Sequence, residues 1–281
     1  MKGKICLVTG SNSGIGFETV VGLARQGATV IMACRDSEKS RNALADAKNR
    51  SGSTDILLLS VDLSSQASIR KLADEFKANY KRLDVLLHNA GYVSYKKELS
   101  PDGIETQFAV NLLAPFLLSN LLLDVLQKSA PSRIVVVSSD SHRMGWLNFD
   151  NLQGEKRYIG LLQYGHTKLA VNLAMLELAR RLEGTGVTVN CLHPGGVKTP
   201  MFENATPKIL RPLLGYLLLT PEKGARTSLF AATAPELEGV TGAYLKNSKV
   251  AQASRRARNE KTARRVWDIC ARLTGLQQAQ A

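Results

Sequence analysis

Tyr164 and Lys168 stand four residues apart in Leu161–Leu182, a stretch with helical periodicity, so they share one helix face. A tyrosine is a weak proton donor near neutral pH, with an ordinary pKa of about 10. An ammonium beside it stabilises the phenolate and is expected to lower that value, making the phenol a usable general acid or base. The spacing alone is common, and most such pairs are ordinary helix surface, so its weight comes from its company. Ser139 follows a β-branched run, Arg133–Val137, that reads as a strand, and its hydroxyl is placed to bond the same substrate oxygen. Asn111 lies in a long apolar helical stretch, Pro101–Lys128, with Pro115 just beyond it. Proline disturbs a helix about one turn upstream, so either the Asn111 side chain or a freed backbone carbonyl could hold a water.

The elements that must position these groups begin at the N-terminus. An apolar run, Lys4–Val8, leads into Thr9-Gly10-Ser11-Asn12-Ser13-Gly14-Ile15-Gly16, and helical spacing follows from Ile15 to Arg25. One glycine permits a sharp turn, one lets backbone approach a ligand, and one lets helix and strand pack closely. Such a turn gathers backbone N–H groups and the positive end of a helix at one point, which suits a pyrophosphate. A second strand, Ala28–Ala33, ends in Cys34-Arg35-Asp36. Where an acidic residue would hold a ribose 2′-hydroxyl stands Cys34, and Arg35 after it suits a 2′-phosphate. This points to NADP(H) over NAD(H). The alternative is a surface Arg35 paired with Asp36.

A polar helix over Ser37–Asn49 is capped by Ser37. The third strand, Ile56–Val61, ends in Asp62-Leu63, where the carboxylate can accept from an adenine amino group. A helix over Ser65–Tyr80 and a fourth strand, Leu83–His88, follow, and Asn89-Ala90-Gly91 leaves room beside the ribose and nicotinamide. After the loop-rich Asp140–Gly160 and the Tyr164 helix come a sixth strand, Val187–Leu192, and the turn from His193 to Thr199. A leucine-rich stretch, Phe202–Leu219, reads either as a lid over an apolar substrate pocket or as ordinary packing. Pro221–Thr233 is helical, Gly242–Leu245 a last short strand, and Asn259–Leu273 a terminal helix. This alternation predicts a Rossmann-type doubly wound parallel sheet of about seven strands in one α/β domain spanning 1–281. Residues 1–130 form mainly the cofactor-binding half, and 131–281 the catalytic and substrate half, with the lid at about 200–220.

Composition narrows the remaining classes. The chain has 281 residues, 44% hydrophobic and 22% charged, which is ordinary for a globular protein. Cys6, Cys34, Cys191 and Cys270 are scattered without a C-x-x-C pair and read as core thiols, with no metal site. No apolar run reaches the roughly 18 residues of a spanning helix. The start runs straight into the first strand, so the expected location is cytoplasmic. The net charge of +13 is high, with its densest cluster at Arg255, Arg256, Arg258, Lys261, Arg264 and Arg265. That cluster lacks the aromatic interleaving of single-strand binders, and no nucleic-acid motif is present. With the leucine-rich stretch, it makes peripheral contact with a membrane surface a further expectation.

These motifs, in this order and over nearly the whole chain, resemble the short-chain dehydrogenase/reductase family. The resemblance implies Tyr164 as acid/base, Lys168 on the nicotinamide ribose and tuning Tyr164, Ser139 orienting substrate, and Asn111 holding a relay water. It implies that Pro194, Gly195, Val197 and Thr199 line the nicotinamide end, with Thr199 at the carboxamide. The chain is also similar to the retinol dehydrogenase subgroup in Ile31–Asp36, Asn151–Tyr158, Tyr164-Gly165-His166-Thr167-Lys168, His193-Pro194-Gly195 and Arg256–Asn259. The inserted Gln153–Tyr158 accounts for the long separation between Ser139 and Tyr164. Members prefer NADP(H) and act on retinoids or other apolar aldehydes and alcohols. Relatives are often homodimers or homotetramers through the helices after the fourth and fifth strands. The light-dependent protochlorophyllide reductases look similar in the glycine turn, but they carry a cysteine where this chain has Gly196. A catalytically idle NADP(H) sensor or scaffold is the alternative, and the intact Tyr164, Lys168, Ser139 and Asn111 argue against it.

Overall fold

Short β-branched and leucine runs form the strands, and the computed structural model describes residues 1–198 and 218–276. In chain order the main elements are β1 (Ile5–Thr9), α1 (Gly14–Arg25), β2 (Thr29–Cys34), α2 (Glu38–Ser51), β3 (Ile56–Ser60), α3 (Gln66–Asn79) and β4 (Val85–His88). After a short turn come α4 (Ala114–Leu121), α5 (Leu123–Lys128), β5 (Ser132–Val137), α6 (Gly160–Arg181) and β6 (Val187–His193). The described chain then gives α7 (Pro221–Thr233), β7 (Tyr244–Lys246), β8 (Lys249–Ala251) and α8 (Glu260–Leu273). The predicted helix starts hold because the caps do. Ser37, Ser65 and Asn259 accept from the N–H groups of Ser40, Ser68 and Thr262.

The strands form one sheet in the order β3-β2-β1-β4-β5-β6-β7-β8, parallel up to β7. Strand order reverses between β1 and β4, so the carboxyl ends there flank a crevice, the usual ligand position in such sheets. Alternate residues divide the core between the two faces. Leu7, Ile31, Leu86 and Ile134 face α3, α4, α6 and α8, whereas Cys6, Val8, Val30 and Val135 face α1 and α7. All four cysteines are buried and free.

Eight strands replace the expected seven. β8 is antiparallel to β7 across Asn247-Ser248, both at positive φ (52° and 54°). Those angles fit a two-residue primed hairpin turn, which usually advertises itself as Asn-Gly; serine in the second place hides it from the sequence. The stretch Pro101–Lys128 is not one helix. Helix begins only at Thr106, Ala109–Leu113 is a π-turn, and α4 continues from Ala114. The irregularity therefore falls at Asn111, as Pro115 requires. The strand expected over Gly242–Leu245 lies at Tyr244–Lys246.

The basic cluster is part of this architecture. Arg256 donates to the Gly145 carbonyl (3.1 Å), Arg264 pairs with Glu260 (3.5 Å), and Arg265 lies 3.7 Å over the Phe149 ring. α8 packs on α6 and α4, with Trp267 edge-on to Phe116 at 4.7 Å and beneath Arg181 at 4.4 Å. The helices through which relatives are expected to assemble thus carry this chain's own last helix. No helix among the described residues is long and apolar enough to cross a membrane.

Candidate active site

At the end of β1 the glycine turn is built by close approach. Gly10 (φ 62°) and Gly14 (φ 59°) adopt left-handed backbone. A Cβ on Gly10 would meet the Ala90 backbone at 2.7 Å, and one on Gly16 would overlap the Asn89 amide and lie 2.5 Å from the Gly10 carbonyl. Asn89 is the strap between β1 and β4. Its Nδ2 donates to the Thr9 and Gly10 carbonyls (3.1 and 2.9 Å), while the N–H groups of Asn89 and Ala90 donate to the Thr9 hydroxyl. Ser13 precedes α1 but its side chain caps nothing, so the first-turn N–H groups point outward without a side-chain partner. Among the described residues the buried Ser11 hydroxyl likewise has no nitrogen or oxygen partner, with only the Cys34 thiol beside it. Backbone donors, an unpartnered hydroxyl and glycines that keep side chains away fit a dinucleotide pyrophosphate. The Ile15 side chain packs with Val197 against Gly224 of α7, while its backbone N–H belongs to the first turn of α1.

Arg35 is exposed, and among the described residues it takes no ion pair; Asp36 pairs with Arg41 instead (2.5 Å). Ser40, which the sequence reading missed, fixes this corner. Its hydroxyl donates to the Arg35 carbonyl (2.7 Å) and accepts from Asn12 Nδ2 (3.0 Å), joining the end of β2 to the glycine turn. Asp62 accepts from the N–H and hydroxyl of Ser64 through Oδ1 (2.9 and 2.7 Å), so it shapes its own turn, and Leu63 packs against the core.

Asn111 is buried and its side chain is committed. Oδ1 accepts from the Tyr92 N–H (2.7 Å), and Nδ2 donates to the Tyr92 carbonyl (2.8 Å) and the Thr167 hydroxyl (3.1 Å). Of the two groups the sequence leaves open for a water, the backbone carbonyl is therefore the available one. The residue four positions on is Pro115, which has no N–H to give it. The Tyr92 contact also ties the π-turn to the loop beyond Gly91.

Tyr164 and Lys168 share a face of α6, as their spacing requires. Lys168 is buried, donates to the Val137 carbonyl (2.9 Å), and places its ammonium 5.6 Å from the Tyr164 ring centroid. Burial pushes the ammonium down to about 8. It also pushes the Tyr164 phenol up to about 12, against the Ser139 hydroxyl, which holds it down. Burial thus sets the direction of the phenol's shift, and the group that opposes it is the Ser139 hydroxyl, with the Lys168 ammonium lying over the ring rather than at the phenol oxygen. Ser139 is extended and caps a short 3-10 turn, Asp140–Arg143. Its Oγ accepts from the Ser141 N–H and pairs with the Ser141 hydroxyl, each at 3.1 Å.

Behind Ser139 lies a layer of polar residues that sequence reasoning did not find. Asp140 bonds Lys246 (2.5 Å) and Tyr244 (3.2 Å) of β7 and lies 3.8 Å from His193 Nε2. Burial opposes ionisation of its carboxyl, but Lys246, His193 and Tyr244 hold it down at about 2. His142 is fully buried between the Ser139 carbonyl and Ser254, and burial lowers its pKa, as it does that of His193. Apart from the local contact of His142 with Ser139, these partners lie 50 or more positions away, so no local pattern announces them. His88 is a buried neutral imidazole held by Ser119 (2.8 Å), pushed down to about 3 by burial.

Beyond β6, Gly195 takes φ 93°, and Leu219 returns to pair with Val197, its N–H donating to the Gly196 carbonyl (2.8 Å). Pro194, Gly195 and Val197 thus stand at the same sheet edge as Ser139. Thr199 and the expected lid up to residue 217 lie outside the described residues.

Comparisons with known proteins agree with the fold. Residues 4–209 match the family model for short chain dehydrogenase. Mouse retinol dehydrogenase 12 is 43% identical over 276 residues, covering 98% of this chain and 87% of that protein. Human retinol dehydrogenase 11 is 44% identical over 277 residues, with the same coverage. Among solved structures, the Pseudomonas aeruginosa RhlG/NADP active-site complex superposes with a TM-score of 0.71 at 27% identity, covering 88% of this chain and 95% of that one.

Proposed function

This chain belongs to the short-chain dehydrogenase/reductase family, in its retinol dehydrogenase-like group, and on that premise we propose that it interconverts an apolar aldehyde or ketone and its alcohol with NADP(H). The observation that carries the reading is one constellation at the carboxyl edge of the sheet. The Tyr164 phenol has the Ser139 hydroxyl beside it and the Lys168 ammonium over its ring. NADP(H), when bound, supplies or accepts the hydride. The glycine turn and the first turn of α1 would hold its pyrophosphate, and Arg35, with no partner among the described residues, would hold a 2′-phosphate. That choice is also supported by the RhlG/NADP complex.

The proton is the protein's share of the chemistry. The Tyr164 phenol is protonated at neutral pH, the state that can donate to a carbonyl oxygen. The Ser139 hydroxyl orients the same oxygen, Lys168 anchors the ribose end, and the Asn111 carbonyl is the place for a water that returns the proton. The retinol dehydrogenase relatives support an apolar substrate such as retinal or a medium- to long-chain aldehyde. The mostly apolar exposed residues flanking the start of α6, Tyr95, Ile159 and Leu161, favour it too.

The test is oxidation of NADPH and of NADH with retinal and with a medium-chain aldehyde, for wild type and Tyr164→Phe. Turnover should prefer NADPH. Tyr164→Phe should lower kcat about 10²–10⁴-fold while NADPH still binds. Turnover that survives Tyr164→Phe would overturn the reading.

A further inference from the structure

The peptide that joins Ser139 to Asp140 is gripped at both of its polar ends by histidines. Its carbonyl accepts from His142 Nδ1 at 2.7 Å and from the His142 N–H at 3.1 Å. Its N–H donates to His193 Nδ1 at 3.3 Å. The tautomers follow from the partners. Ser254 offers His142 Nε2 a backbone N–H (3.0 Å), which can only donate, so Nε2 accepts and Nδ1 carries the hydrogen. By the same logic His193 Nδ1 accepts, and its Nε2–H turns toward Asp140. Both rings are therefore used as neutral imidazoles. The His142 ring is itself wedged edge-on against Tyr244 at 4.9 Å, and Tyr244 bonds Asp140.

We propose that His142 and His193 are positioning residues that clamp the Ser139–Asp140 peptide and so aim the Ser139 hydroxyl at the substrate oxygen. With that peptide plane held, ψ of Ser139, here 152°, sets the direction in which its Cα–Cβ bond, and so Oγ, projects from the clamped backbone. The Oγ is held by Ser141, through bonds of 3.1 Å, and by the Tyr164 phenol, contacts that must partly yield when a substrate oxygen arrives. The backbone beneath is then what keeps the hydroxyl in place. Because His193 begins the His193-Pro194-Gly195 turn, the clamp also fixes the serine relative to the wall at the end of β6. The inference rests on Ser139 as the substrate-orienting group.

Side-chain isosteres separate a clamp from mere core filling. In His142→Asn the amide nitrogen can take the place of Nδ1 and still donate to the Ser139 carbonyl. In His142→Gln the amide reaches the Nε2 position and that donor is lost. Asn is one methylene smaller than Gln, so on core filling alone His142→Asn should lower Tm and activity at least as much as His142→Gln. The measurement is kcat, KM and NADPH Kd for wild type, both variants, His193→Gln and the double variant His142→Gln/His193→Gln, with Tyr164→Phe alongside. His142→Asn should stay within a few-fold of wild type. His142→Gln should lose kcat about 10- to 100-fold with NADPH Kd unchanged, the scale of a misplaced reacting group. The double variant should lose less than the product of the single losses, because both act on one peptide. Equal losses in Asn and Gln, or a drop in Tm without one in kcat, would overturn the clamp while leaving Tyr164-dependent turnover intact. Turnover indifferent to Tyr164→Phe would instead overturn the site reading on which the clamp rests.

Discussion

The turns that follow β1 and β5 both close a parallel strand at the same edge of the sheet, yet they are held by opposite means. At the glycine turn, position is set by missing side chains. Gly10 and Gly16 let backbone lie against Ala90 and Asn89, and the strap from Asn89 ties β1 to its neighbour in the sheet. At the serine turn, position is set by side chains that arrive from far along the sequence: His193 from the end of β6, Tyr244 and Lys246 from β7, Ser254 from beyond β8. The first turn is rigid because nothing else fits. The second is rigid only while a set of hydrogen bonds is complete. A cofactor phosphate needs a fixed anionic cradle. A hydroxyl that must exchange a bond with Ser141 for one with substrate needs a firm base under a replaceable contact.

The contrast is broken most severely at Gly16. Gly16→Ala puts a Cβ into the Asn89 amide and 2.5 Å from the Gly10 carbonyl, so Asn89 must leave both carbonyls it bonds. Overpacking of this kind costs about 1–3 kcal/mol, and the displaced cradle should bind no measurable NADPH. Calorimetry and fluorescence titration would check both. Wild-type NADPH affinity in Gly16→Ala would show that the turn tolerates side chains and is not set by close approach.

The same contrast explains what was legible in the sequence. Glycines, caps and a proline act on their own neighbourhood, so the β1 turn, the starts of α2, α3 and α8, and the π-turn at Asn111 could be placed from local residues alone. Tyr164 and Lys168 were legible because one helix carries both. The polar layer behind Ser139 was not, because Asp140 meets Lys246 and Tyr244 more than 100 positions away. Ser40 was hidden for a different reason. It looks like a first-turn helix serine, and only the folded corner brings Arg35 and Asn12 to its hydroxyl. The direction of the Tyr164 shift was also beyond spacing. A shared helix face says that Lys168 is near, but not that its ammonium lies over the ring and that burial prevails.

Burial of Lys168 predicts a trade between stability and catalysis on the serine side of the cleft. A lysine lowered from 10.5 to about 8 is charged in both folded and unfolded chains below pH 8, where folding carries the whole desolvation cost. That cost fades between pH 8 and 10.5 as the unfolded chain comes to hold more protons than the folded one. Lys168→Met should therefore be more stable than wild-type protein without cofactor at pH 7, by up to roughly 3 kcal/mol. The advantage should shrink toward zero by pH 10.5, and turnover should be lost. Denaturant melts of both proteins from pH 7 to 10.5 give the difference directly. A gap that stayed constant with pH would mean that Lys168 is solvated well enough to keep its ordinary pKa.

The smallest expected effect lies at Arg35 and sharpens the comparison on the cofactor side. Arg35 and Arg41 are both exposed arginines near the end of β2, but only Arg41 already has a carboxylate, Asp36, at 2.5 Å. The arginine without a partner is the one a phosphate can recruit without breaking an existing pair. A charge-assisted contact of this kind contributes about 1.5–3 kcal/mol. Arg35→Ala should accordingly raise KM for NADPH about 10- to 100-fold, leave KM for NADH unchanged, and flatten the salt dependence of NADPH binding. Arg41→Ala should change neither KM, since its charge serves Asp36. If instead Arg41→Ala abolished the NADPH preference and Arg35→Ala did not, the 2′-phosphate would lie toward α2, and the free guanidinium at the strand end would be only solvated surface.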